Sequence, residues 1–177
     1  MTDAPKPPAS AGPAPILESP QAADFAAGLV RGGQLIGLDL GDKTIGVAVS
    51  DEGFHIASPL STVRRKKFGA DVAKLVEMLD GRTVAGWVLG LPVNMSGDEG
   101  PRCQSTRAFA RNFSRLRPEP ILLWDERLST VAAERALLEA DASRRRRAEV
   151  IDHVAAAYIL QGALDRLASV RAEGGRA

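Results

Sequence analysis

Two apolar runs joined by a tight turn, Gln34–Leu40 and Thr44–Asp51, constrain this chain most, because the first run holds an aspartate. Gly37-Leu38-Asp39-Leu40-Gly41 reads as strand, and a carboxylate there is costly to bury unless something pairs with it. The Gly41–Thr44 turn is of hairpin length, so the two runs read as antiparallel neighbours. A third strand, from His55 to Val63, contains Pro59, which confines it to a sheet edge or a bulge.

Downstream the pattern alternates. Val72, Leu75, Val76 and Leu79 recur at helical spacing in a helix over Gly69–Asp80, which Gly81 ends. Val84–Gly90 is nearly continuously apolar, as a strand covered on both faces must be. A second helix spans Arg102–Leu116 and stops ahead of Pro118; Ile121–Trp124 is a fifth strand. Ser129 or Thr130 can cap a third helix to Ala140, and the last helix runs from Ala148 to Val170. Three antiparallel strands followed by helix–strand alternation imply a mixed α/β sheet of five strands, with helices on both faces. That order is the ribonuclease H-like one.

The chain has 177 residues, enough for one domain and a tail, and 45% of them are hydrophobic, enough for one core. Residues 1–32 read as a disordered extension: six of the eleven prolines fall in the first twenty residues, among Ala, Ser and Gly, too little apolar surface to offset the entropy of ordering. A short helical turn within 16–30 is compatible with Ile16, Leu17, Phe25, Leu29 and Val30. The ribonuclease H-like domain spans 33–170, and 171–177 read as a flexible tail. There is no apolar run of membrane-spanning length and no signal peptide, and the single cysteine, Cys103, fits a reducing cytoplasm.

Three acidic points fall on ordered elements: Asp39 in the first strand, Asp125-Glu126 after the fifth, and Asp152 early in the last helix. Phosphodiester hydrolysis needs a placed water, a neutralised phosphate and a stabilised leaving group, and two Mg2+ ions about 3.5–4 Å apart supply all three. Mg2+ or Mn2+ takes oxygen ligands, so carboxylates from separate elements suffice. Asp39 shares a strand face with Gly37 and Gly41, which leaves room for a metal and a phosphate. The plainer alternative is an aspartate that binds backbone amides. Asp125 and Glu126 point to opposite faces, so at most one meets such a site directly; the sequence leaves the choice open. Asp152 shares a helix face with Ala155, Ala156 and Ile159, although an acid there also simply complements the helix dipole. Candidate catalytic residues are therefore Asp39, Asp125, Glu126 and Asp152, with Asp39, Glu126 and Asp152 as metal ligands. His153 reads first as structural.

The net charge of +1 says little, but Arg64-Arg65-Lys66-Lys67 and Arg144-Arg145-Arg146-Arg147 are concentrated basic runs. Lys43 in the hairpin turn, Asn94 in the loop after the fourth strand, Arg102 at a helix start, Arg127 and the Arg144–Arg147 run are candidate nucleic-acid contacts.

Leu38-Asp39-Leu40-Gly41-Asp42-Lys43-Thr44-Ile45-Gly46-Val47-Ala48-Val49-Ser50-Asp51 resembles the opening motif of the YqgF/RuvX family. Gly90-Leu91-Pro92-Val93-Asn94-Met95-Ser96-Gly97 is similar to its second motif, Trp124-Asp125-Glu126-Arg127-Leu128-Ser129-Thr130 to its third, and Asp152 with Ala155–Gln161 to its last. The resemblance covers about residues 34–168. It implies a ribonuclease H-like fold related to Holliday-junction resolvases, and a cytoplasmic bacterial nuclease that matures the 5′ end of the 16S rRNA precursor. It carries Asp39, Asp125-Glu126 and Asp152 over as site residues. Thr44 departs from the basic residue many relatives have there, and the proline-rich extension lies outside the family core.

The expected partner is nucleic acid, structured precursor rRNA first, for a monomer or homodimer without a membrane role. Cleavage of branched DNA is the alternative within the same chemistry. A non-catalytic nucleic-acid-binding module is a second class, disfavoured because carboxylates facing phosphate would weaken a pure binder. An actin-like kinase would need two such domains.

Overall fold

The computed structural model describes residues 12–129 and 147–174, with the backbone alone for residues 147–152. Six strands form one sheet: β1 (Ile16–Glu18), β2 (Gln34–Leu40), β3 (Thr44–Ser50), β4 (Ala57–Arg64), β5 (Val84–Leu91) and β6 (Ile121–Asp125). Four helices accompany them: α1 (Ala22–Ala27), α2 (Phe68–Met78), α3 (Pro101–Phe113) and α4 (Arg147–Gly174).

The strand order is β1-β6-β5-β2-β3-β4. β2, β3 and β4 are antiparallel in sequence, while β5 lies parallel to β2, β6 to β5 and β1 to β6. The last five strands are the expected ribonuclease H-like set. Pro59 does what a residue without an N–H must: it sits on the edge strand β4, at a register break where Val47 pairs with Ser61 and Ala48 with Pro59. β5 is buried from end to end, as its unbroken apolar run requires.

The sheet has a core on each face. Ile36, Leu38, Leu75, Trp87, Phe109 and Phe113 pack beneath α2 and α3. Phe25, Leu35, Val88, Leu122, Ile159 and Leu160 pack beneath α1 and α4. Trp87 packs edge-on against Phe113 at 4.7 Å and donates its indole N–H to Glu119 at 3.1 Å, so its polar atom is satisfied in the core.

The sixth strand corrects the expected count of five, and it comes from the segment expected to be disordered. Ile16, Leu17 and Glu18 pair with Ile121, Leu122 and Leu123 of β6. Ser19 donates its hydroxyl to the Leu123 carbonyl and accepts the Asp125 N–H at 2.8 Å, and Phe25 is fully buried. The few apolar residues here are too sparse to build a core, but they complete one that the rest of the chain supplies. Burying Phe25 contributes about 1.5–3 kcal/mol toward ordering the segment, and the β1–β6 hydrogen bonds add to it.

α4 also runs past its expected end at Val170 into the proposed tail. Leu167 is buried there, and the Arg171 guanidinium lies 5.1 Å over the Phe54 ring, which holds the last turns to the turn before β4. The helix expected from Ser129 or Thr130 to Ala140 lies outside the described residues, apart from Ser129 itself. Among the described residues no helix is long and apolar enough to cross a membrane.

One consequence of the topology matters for function. β2, β4, β5 and β6 run in the same direction, so Asp39, the Arg64–Lys67 run, Gly90 and Asp125-Glu126 all come to one end of the sheet.

Candidate active site

Asp39 is the next-to-last residue of β2 and is 5% exposed. It lies directly across from Gly46 of β3, and Gly46 across from Thr62 of β4. On the other side Leu38 pairs with Leu89, so Asp39 stands one step further on, beside Gly90 of β5. The row through Asp39 thus has glycine on both neighbouring strands.

That row lies under α4. A Cβ on Gly37, two residues before Asp39 and on its face, would come within 2.8 Å of the Leu160 Cβ and 2.9 Å of the Ala156 carbonyl oxygen. The small residues on both sides let the helix backbone approach the sheet closely. Asp152 lies in α4 one turn ahead of Ala156; its side chain lies outside the described residues. His153 accounts for itself differently: its Nδ1 is 3.1 Å from the Thr62 hydroxyl, at the far end of the Asp39 row.

The structure separates Asp125 from Glu126. Ile121, Leu123 and Asp125 alternate onto the α2–α3 side, while Leu122 and Trp124 point to the α4 side. Glu126 continues the α4 side in a short 3-10 turn, Glu126–Leu128, and its Oε1 lies 2.7 Å from where a Gly90 Cβ would be. A Cβ at 90 would force that carboxylate to shift. Glu126 therefore shares the face of Asp39, from the turn after β6, with β5 between them.

Asp125 is occupied locally. It accepts the Arg127 N–H at 3.0 Å and the guanidinium at 2.6–3.1 Å, capping the 3-10 turn. The hydrogen-bonded Arg127 guanidinium holds the Asp125 carboxyl below the usual carboxylate range, against the opposing effect of partial burial. Arg127 is thus an ion-pair partner of Asp125, with its Nη1 within 3.7 Å of the Gly97 Cβ position.

The other candidate contacts ring the same end. Lys43 is exposed in the β2–β3 turn. Asn94 is exposed in the loop after β5; its carbonyl accepts the Gly97 N–H at 2.8 Å and its N–H donates to Asp98 at 3.0 Å, a turn closed by Gly97 at φ 92°. Its side-chain nitrogen lies 3.7 Å from the Gly100 Cβ position, beside the start of α3, where Arg102 is exposed. Arg144, Arg145 and Arg146 lie outside the described residues, and Arg147 is described by its backbone alone.

Three supporting residues escaped the sequence reading. Arg107 binds Glu18 of β1 at 2.7 Å and Glu99 of the β5–α3 loop at 2.5 Å, tying the N-terminal strand to that loop. Arg65 donates to the Gly41 carbonyl at 2.7 Å and clamps the turn that follows Asp39. Asp71, 2% exposed, holds the same corner by accepting the Lys66 N–H at 2.8 Å. No local pattern distinguishes these from surface charges. Gly90 did carry a signal, since glycine inside a buried strand marks a close approach.

The donors at this end are carboxylate oxygens on a bed without Cβ atoms, which suits a hard divalent cation. Among the described residues no three ligating side chains converge.

The chain matches the family model described as "RuvX: Holliday junction resolvase" over residues 33–166. The chain belongs to the RuvX family. The RuvX match spans the sheet from β2 onward together with all the candidate carboxylates, and leaves β1 and α1 outside it. Curated relatives are similar over most of their length. A Rhodobacter capsulatus protein named "Putative pre-16S rRNA nuclease" is 68% identical over 152 residues, 85% of this chain and 96% of that one. A Ruegeria pomeroyi protein of the same name is 69% identical over 144 residues, 81% of this chain and 94% of that one. A Roseobacter denitrificans protein so named is 65% identical over 160 residues, 89% and 97% of the two chains. Among solved structures, "T. thermophilus RuvC in complex with Holliday junction substrate" is 13% identical with a TM-score of 0.47, covering 76% of this chain and 96% of that one.

Proposed function

We propose that this chain is a metal-dependent nuclease that hydrolyses phosphodiester bonds at the 5′ end of precursor 16S rRNA, in the cytoplasm. The observation that carries the reading is the Glu126 carboxylate over side-chain-less Gly90, beside the row of Asp39. Two acids from separate elements on a glycine bed would gain nothing in a protein that only binds polyanions. The names of the curated relatives supply the substrate class.

Asp39 and Glu126, joined by Asp152 from α4, are the residues that would hold Mg2+ or Mn2+. A divalent cation bound there supplies charge neutralisation at the phosphate and lowers the pKa of a water nucleophile. Gly37 and Gly90 let α4 and the Glu126 carboxylate close onto the sheet, which gathers the acids on one face. Lys43, Asn94 and Arg102, around the rim, orient the flanking backbone by contacts to phosphate and sugar. Asp125 acts through Arg127, fixing the short turn that presents Glu126.

A second reading, cleavage of branched DNA, draws on the description of the family. One experiment tests both: cleavage of labelled precursor 16S rRNA fragments and of a four-way DNA junction, with Mg2+ or Mn2+ against EDTA, for wild type and Asp39→Asn. Metal-dependent cutting of the rRNA, lost in a folded Asp39→Asn protein, is the expected result. Cutting of the junction alone selects the second reading, and no cutting of either by folded wild type defeats both.

A further inference from the structure

Between edge strand β4 and helix α2 lies an open groove of about 450 Å3. Its floor is apolar, formed by buried Val63 and part-buried Met78. Its rim is cationic: Arg64 and Lys66 stand exposed on one side and Lys74 on the other. One lining residue, Asp71, is acidic, but its carboxylate is 2% exposed, accepts the Lys66 N–H and faces the Arg65 guanidinium at 4.0 Å. Lys74 meets Glu77 at 3.1 Å in an exposed pair, a contact of little strength that a phosphate can displace.

The basic run Arg64–Lys67 is thereby divided. Arg65 turns inward to the Gly41 carbonyl, while its neighbours turn to solvent. The Arg65 N–H also donates to the Lys43 carbonyl at 2.9 Å, so the mouth of the groove adjoins the β2–β3 turn. Thr62 borders the groove and stands two strands from Asp39, about 10 Å at the usual strand spacing. The groove opens on the α2 side and the carboxylates on the α4 side, and the bare edge of β4 joins them.

We propose that this groove seats an unpaired nucleotide of the RNA strand adjoining the cut. The base lies against Val63 and Met78, the flanking phosphates lie on Arg64, Lys66 and Lys74, and the Ser61 hydroxyl meets the ribose. An apolar floor of this volume has no use for a duplex, whose bases are stacked inside, and suits one splayed base between charged walls. The assignment deepens the nuclease reading and rests on it.

The test is equilibrium binding of the full chain to fluorescently labelled short single-stranded RNA in EDTA, across a salt series, so that no cutting contributes. Lys66→Ala/Lys74→Ala is expected to weaken binding about ten-fold and to lower the slope of log K against log salt by about 1.4, at about 0.7 per phosphate contact on a single strand. Ala70→Trp, which fills the groove from α2, is expected to weaken binding with the slope unchanged. Should the tryptophan protein misfold, the double variant at exposed positions still decides. Unchanged affinity and slope in the double variant overturn the proposal. An equal loss on duplex RNA also overturns it, in favour of a diffuse basic surface, and equal wild-type binding of single-stranded DNA overturns the ribose assignment. Binding as expected by a protein that never cuts would sink the nuclease reading and leave the groove standing; cutting with unaltered variant binding would do the reverse.

Discussion

Glu126 and Gly90 are complementary: the glutamate's Oε1 stands 2.7 Å from the point a Cβ on residue 90 would occupy. The missing side chain on β5 is what admits the carboxylate delivered by the end of β6, and it brings Glu126 onto the face of Asp39. The chain spent a position inside a fully buried strand on a residue that packs nothing.

Gly90→Ala follows directly. The added methyl meets Glu126 and, at 2.5 Å, the Ile159 Cδ1 of α4. Overpacking of this kind costs about 1–3 kcal/mol. The melting temperature should fall by about 2–4 °C per kcal/mol. Because Glu126 must also move, kcat should fall by about 100-fold at temperatures where the variant is folded. Calorimetry and cleavage kinetics check both, and wild-type values in each would contradict the geometry.

Asp125→Asn and Glu126→Gln should behave differently although the residues are adjacent. Glu126→Gln removes a proposed ligand and should lower kcat by about 100-fold or more while the melting temperature holds. Asp125→Asn weakens the half-exposed Arg127 pair, worth about 1 kcal/mol or less after solvent screening, and should lower stability slightly with a smaller loss of rate. Reversed severities in a cleavage assay would show that the α2–α3 side carries the chemistry.

Acid stability should depend on Asp51. Its carboxylate accepts backbone N–H groups from Ile56 at 2.8 Å and His55 at 2.7 Å, and these bonds, Ile56 first, hold its carboxyl well below the usual range. A folded pKa below the unfolded value of about 3.9 means that Asp51 contributes its full stability above that pH and loses it as pH falls toward the folded pKa. Asp125, depressed by Arg127, and Glu99, depressed by Arg107, act in the same direction. Urea melts from neutral pH downward should show stability declining below about pH 4. The decline should be shallower in Asp51→Asn, which has already lost the contribution at neutral pH.

Phe25→Ala should destabilise the whole domain rather than fray its start. Phe25 is fully buried against the α4 face of the sheet, and a buried Phe truncated to Ala costs about 3–5 kcal/mol. A single cooperative urea transition with a lower midpoint is expected. An unchanged midpoint would mean that β1 and α1 dock without contributing to stability.

Local pattern carried most of the fold. The alternation of apolar runs, the hairpin-length turn after Leu40, the restriction that Pro59 imposes and the glycine stop at Gly81 are written in neighbouring residues, and the strands fall close to where they indicate. The position of Asp39 in an apolar strand was equally local. Within Ile16–Ala27 the short helical turn was legible as α1, but the strand and its docking were not, because they depend on a sheet edge and a helix that are distant in sequence. A few apolar residues look the same whether or not a partner waits for them.

The sequence by itself determined which residue types are available and on which elements they lie: a strand aspartate, an acidic pair after a buried strand, an acid on a helix rich in alanine. Only the tertiary structure decided among them. The choice between Asp125 and Glu126 turned on the absent side chain of Gly90, and the division of Arg64–Lys67 into one clamp and exposed cations turned on the Gly41 carbonyl and Asp71. The first is a contact between the ends of parallel strands and the second between the ends of an antiparallel run, and the energy of each is set by geometry that no stretch of neighbouring residues contains.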